Sequence, residues 1–131
     1  MNRWLLPATL LFALFIVAIV IAANLDAFPQ PLKYLYNFPG GDKVGHFSLF
    51  GILSFLLNRS ALVLYQKRDS TRLVLTVSLF LAILIGLEEW SQALFPARTM
   101  SASDLLASYV GVIVFAFLAW YFNNRQRSRG M

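Results

Sequence analysis

Hydrophobic residues run through this chain in long unbroken stretches, without the alternation or one-sided helical spacing of a water-soluble domain. Arg3 and Asp26 bracket an uncharged run from Trp4 to Leu25, rich in Leu, Ile, Val, Phe and Ala, long enough for a helix to cross a hydrocarbon core about 30 Å thick. Further runs at about 44–65, 73–94 and 105–124 predict three more spans. Arg59 lies near enough to the end of the second to reach the head groups. Glu88 and Glu89 interrupt the third, and the fourth carries no charge. Between the first two runs, Phe28-Pro29-Gln30-Pro31 and Asn37-Phe38-Pro39-Gly40-Gly41 read as loops, because proline has no amide hydrogen to give a helix. Leu32 to Tyr36 reads as an interfacial turn with Tyr34 and Tyr36 at head-group depth. Pro96 predicts the end of the third helix. Ser101 or Ser103 can cap the fourth, with Asp104 in its first turn, where the helix dipole favours a carboxylate. The pattern predicts an all-α membrane protein, a four-helix bundle forming a single domain over 1–131.

Composition narrows the class. The chain has 131 residues, 59% hydrophobic and 13% charged, with a mean hydropathy of +0.67, against about 25% charged in soluble domains. A water-soluble monomer is excluded, and four spans leave room only for short loops. The absence of cysteine removes disulfides, iron–sulfur clusters, thiolate zinc sites and cysteine nucleophiles. The net charge of +5 comes from basic residues scattered among apolar runs, which reads as topology and gives no nucleic-acid partner. Arg3, Arg59, Lys67, Arg68, Arg72, Arg125, Arg127 and Arg129 fall on one side, and Lys33, Lys43 and Arg98 on the other. The positive-inside rule then puts both termini in the cytoplasm. Arg3 with the small Ala22 and Ala23 also suggests a signal peptide, but the first run exceeds the apolar core of roughly 7–15 residues usual in such a peptide.

With this topology Asp42, Lys43, His46, Glu88, Glu89, Gln92, Arg98 and Asp104 gather at the outer ends of spans two, three and four. Asp42 and His46 are four residues apart, as are Glu88 and Gln92, so each pair can share a helix face. A charge at the centre of a membrane helix costs about 2.5–3.5 kcal/mol, so these groups are expected to turn from lipid and meet one another. One reading is a structural ion-pair network. The other is an outward-facing polar pocket, with Asp42, Lys43, Gln92, Arg98 and Asp104 as ligand-binding residues. Lys43 and Arg98 suit a phosphate or carboxylate. His46 with Glu89 is the candidate catalytic pair for a membrane-embedded hydrolase. A single histidine without regular ligand spacing gives no metal site, and no cofactor is expected. The small-residue pairs Gly41/Gly45, Ala82/Gly86 and Ala107/Gly111 predict close helix packing.

Asp42-Lys43-Val44-Gly45-His46-Phe47 resembles the D-K-x-x-H-F opening of the VanZ-like membrane proteins. The stretch carrying Glu89, Gln92, Pro96, Arg98, Ser101, Asp104, Ser108 and Gly111 is similar to the family's second signature, with Ser108 where the family usually has Asn. The resemblance implies a multi-pass protein of the bacterial plasma membrane. It also implies a cell-envelope role connected with antibiotic resistance, the founding member being linked to reduced susceptibility to the lipoglycopeptide teicoplanin. The expected partners are membrane lipids and a lipid-linked envelope precursor or other anionic head group, with a homo- or hetero-oligomer open. An accessory subunit and a small transporter stand as rivals to binding and to hydrolysis.

Overall fold

The computed structural model describes residues 3–25, 41–95 and 102–129, the side chains of 23, 24, 41 and 42 excepted. Helix α1 spans Leu5–Asn24, α2 Gly41–Leu64, α3 Ser70–Ser91 and α4 Ala102–Arg129, with a 3-10 turn, Gln92–Leu94, continuing α3. Among the described residues there is no strand. Each helix is long and apolar enough to cross a membrane.

The boundaries depart from the sequence pattern for local reasons. Helix α2 begins at Gly41, inside the expected loop, since the first amides of a helix have no intrahelical partner in any case. Helix α4 does not stop near Asn124 but runs through the arginine tail to Arg129. Arg and Gln are good helix formers, and cations are favoured at a helix C-terminus. Beyond α3, Phe95 has an extended backbone, φ −118° and ψ 127°, as the residue before a proline prefers. Pro96, Ser101 and the expected loops and interfacial turn between 26 and 40 lie outside the described residues.

Helix α2 packs against each of the other three, and its contact with α4 is the most extensive. The two helices run parallel, since their contacts keep one order along both: His46 with Ser108, Ser54 with Val112, Arg59 with Gln126 and Gln66 with Arg127. Glycines make this seam tight. A Cβ on Gly111 would overlap the Phe47 carbonyl, and one on Gly51 would strike the Phe115 ring. Between α3 and α4, a Cβ on Gly86 would come to 2.9 Å from the Tyr109 hydroxyl, which donates to the Ala82 carbonyl at 3.1 Å. The expectation for Gly45 is corrected: among the described residues nothing stands within 4 Å of where its Cβ would be. The row of α2 facing α4 passes through Phe47 and Gly51, four residues apart, and Gly45 lies off that row.

The bundle carries its large apolar side chains outside. Leu11, Leu79 and Ile113 are well exposed, whereas Ser54, Asn58 and Ser108 are at most 1% exposed. Such an arrangement suits a surrounding of lipid, where polar groups must be satisfied within the protein. The apolar core draws Ile16, Phe50, Leu53, Leu81, Ile85 and Val112 from all four helices.

Candidate functional site

The parallel register of α2 and α4 brings the first turns of both helices to one end of the bundle, the histidine end. Lys43 and His46 stand on α2, Asp104 and Ser108 on α4. Asp104 lies between Lys43 and His46, Oδ1 at 3.7 Å from Lys43 Nζ and Oδ2 at 3.7 Å from His46 Nε2. These separations are ion pairs without the shorter distance of a hydrogen bond. On its other edge the imidazole places Nδ1 3.3 Å from Ser108 Oγ. The Ser108 hydroxyl also donates to the Asp104 carbonyl one turn back, at 3.1 Å, and the direction of its contact with Nδ1 follows the imidazole tautomer. The ring also stacks on Phe50, centroids 6.0 Å apart, fixing its orientation from the apolar side.

Helix α3 adds a second group. Glu89 and Gln92 are each 3% exposed. The Gln92 amide donates to Glu89 Oε2 at 2.9 Å and lies 3.2 Å from both oxygens of Glu88. One neutral donor thus holds two consecutive carboxylates together where α3 tightens into its 3-10 turn. Glu88, Glu89 and Asp104 all have further partners. Tyr109, next to Ser108, reaches Ala82 and lies against Gly86, so Glu89, three residues beyond Gly86, rises at the same end as Ser108 and Asp104.

Of the residues expected to form the site, the structure joins Lys43, His46 and Asp104 in one contact set, and Glu89 and Gln92 in another. The acid beside the imidazole is Asp104, while Glu89 is held by Gln92. Asp42 falls in the first turn of α2, but its side chain and the whole of Arg98 lie outside the described residues. Among the described residues no three imidazole or carboxylate groups converge as metal ligands.

On the other face of α2, α1 and α3 stand apart and leave an apolar groove of about 780 Å³. Ala13 and Val17 of α1, Leu53 and Leu57 of α2, and Phe80 and Leu84 of α3 line it. It extends along α1 from Leu6 to Ile21, about 22 Å at 1.5 Å per residue. Glu88 closes its histidine end, and Thr9, Ser60 and Tyr65 its other end.

Sequence reasoning passed over the uncharged polar residues deeper in the bundle. Ser54 donates to the Val112 carbonyl at 2.9 Å. Asn58 donates to the Ser54 carbonyl at 2.9 Å and lies 3.4 Å from the Ser78 hydroxyl. Thr9 and Ser60 join α1 to α2 at 2.9 Å. The four-residue steps from His46 through Phe50 to Ser54 and Asn58 were the available signal, marking one buried row of α2. Comparison of the chain with protein-family models, curated proteins and solved structures finds no match, so any reading of function rests on these residues and their geometry.

Proposed function

We propose that this chain is a multi-pass protein of a bacterial plasma membrane, both termini cytoplasmic, that binds a lipid-linked component of the cell envelope at its outer, histidine end. The observation that carries this reading is the groove between α1, α2 and α3, apolar along its length and ending at Glu88. Glu88 shares the Gln92 amide with the buried Glu89. A site apolar along one axis and charged at one end fits an amphiphile, its chain in the groove and its head group at the polar cluster. Its volume lies in the range of about 300–1,000 Å³ usual for ligand sites. Half-exposed Lys43 suits a phosphate on such a head group, and the carboxylates suit its hydroxyl or ammonium groups. The excess of Lys and Arg at the opposite end supports the orientation. The motif resemblance to VanZ-like proteins supports an envelope-facing role, modulation of envelope chemistry included.

Native mass spectrometry of protein purified gently from its own membrane tests the reading. The wild type is expected to retain a discrete lipid that Ala13→Phe, which fills the groove, and Glu88→Gln both release while the helical circular dichroism persists. Equal retention of the same species by all three proteins would contradict it.

The Asp104–His46–Ser108 row favours one second reading, a membrane-embedded hydrolase. Ser108 is 1% exposed within the α2–α4 seam, so in this reading the nucleophile is a water that takes the place of the Ser108 hydroxyl at His46 Nδ1 and gives it a proton, while the Nε2–H side faces Asp104, which orients the ring. Turnover of a lipid-linked phosphate or ester, abolished by His46→Ala in a folded protein, would establish it.

A further inference from the structure

At the opposite, basic end of the α2–α4 seam lies a charge that no described residue balances. Arg59 is 7% exposed, and among the described residues no carboxylate stands within ion-pair distance of it. Its Nη2 donates to Gln126 Oε1 at 3.2 Å, whereas Nη1 is buried without a partner. Asn123, also 7% exposed, has its Nδ2 buried and without a partner. It sits three residues before Gln126 on α4, and such neighbours have Cβ atoms about 5–6 Å apart on one helix face. Two open donors, one of them a guanidinium, therefore fall on the same short stretch of the seam.

Both of these open groups are donors, so the missing partner is an acceptor. The other buried side-chain atom left open among the described residues, Asn58 Oδ1 on α2, is a neutral acceptor and carries no charge to set against the guanidinium. A guanidinium removed from water without a counter-charge is strongly disfavoured, which makes a negatively charged acceptor the fitting one. The surroundings add to this. Arg127 reaches over to the Gln66 carbonyl, Lys67 and Arg68 follow on the same connection, and the one acid nearby in sequence, Asp69, is exposed. Helix ends of this charge draw anions to the membrane surface.

We propose that the basic end of the α2–α4 seam is an anion site for a phosphate group, bound through Arg59 Nη1 and Asn123 Nδ2. The phosphate belongs either to an anionic phospholipid of the adjoining leaflet or to a small soluble phosphate. Arg59 then does not merely rest among head groups but takes one specific phosphate as the counter-ion that the described residues do not supply. The site is independent of whatever occupies the histidine end.

The test is thermal unfolding of the full-length, delipidated protein in neutral detergent, with phosphatidylglycerol, phosphatidylcholine or inorganic phosphate added. A ligand that binds the folded state raises the melting temperature with its concentration. Asn123→Asp supplies an internal carboxylate for Arg59. It is expected to melt at or above the wild-type temperature and to respond to phosphatidylglycerol about tenfold more weakly. Arg59→Gln removes the charge and is expected to lose the response to the same degree. Both variants keep the Arg125, Arg127 and Arg129 tail, so general attraction of the tail to anionic lipid survives in them. A wild-type response to phosphatidylglycerol alone identifies the lipid as the source, and an equal response to inorganic phosphate identifies the soluble anion. No response to either, a phosphatidylcholine response equal to that of phosphatidylglycerol, or a wild-type response in either folded variant would overturn the proposal.

Discussion

The two ends of the α2–α4 seam are built on the same parallel pair of helices and differ in how charge is balanced. At the histidine end Asp104 faces Lys43 and His46, and α3 adds Glu88 and Glu89 under a shared amide. At the basic end Arg59 meets, among the described residues, only the neutral oxygen of Gln126, and its Nη1 and Asn123 Nδ2 stay open. Between them the helices are locked by glycine contacts at Gly51 and Gly111 and by the bond from Ser54 to Val112. Backbone packing thus fixes the geometry of both ends alike. Side-chain charge separates them: at one end an acid of the chain stands beside Lys43 and His46, and at the other a buried guanidinium meets only neutral groups among the described residues.

The largest expected effect breaks both ends together. Gly111→Leu drives a side chain into the Phe47 carbonyl, and a backbone that cannot yield makes this costlier than ordinary overpacking, about 3 kcal/mol or more. Cooperative thermal unfolding in detergent should be lost or shifted steeply downward. An unchanged transition would mean that the seam is not the organising contact.

A pair of substitutions sharpens the contrast between the ends. Asp104→Asn leaves Lys43 and His46 without their carboxylate and should destabilise the fold by about 1–2 kcal/mol, most of it from the His46 side, because the Lys43 side chain is 53% exposed. Arg59→Met, in detergent free of anions that could fill the site, should be neutral or stabilising by up to about 1 kcal/mol, since it removes an unbalanced buried charge. Melting temperatures of the two proteins settle the matter, and a reversed order would erase the distinction.

How much of this the sequence made legible follows from what each feature depends on. The four helices were readable because each follows an unbroken apolar run long enough to cross a membrane, and the gathering of Lys43, His46, Glu89, Gln92 and Asp104 toward one end followed from alternating helix direction. Which acid meets His46 was not readable, since Asp104 becomes its neighbour only through the parallel register of α2 and α4, set by Gly111 against Phe47. Gly51 was missed, and Gly45 chosen instead, because small-residue spacing does not say which face of a helix meets a partner. Arg59 was seen as a residue near the head groups, but its lack of an acid depends on Asn123 and Gln126 lying across the seam. The groove could not be foreseen, as no sequence pattern states that α1 and α3 stand apart.

Smaller effects refine the picture. Ser54→Ala, which removes the bond to Val112 at the middle of the seam, should cost about 0.6 kcal/mol, the size typical of interhelical hydrogen bonds in membranes, and should leave both ends' ligand responses unchanged. Ala13→Phe should change which lipids copurify, at a stability cost of no more than about 1 kcal/mol, because Ala13 lines the groove and also packs against the apolar core.

The most direct measurement of the contrast is native mass spectrometry of the wild type, Glu88→Gln and Asn123→Asp, prepared in parallel from the same membrane. The account predicts two separable losses: Glu88→Gln releases the amphiphile of the histidine end and keeps the phosphate-bearing species, and Asn123→Asp does the reverse. One and the same species lost from both variants, or the same set retained by all three, would contradict it.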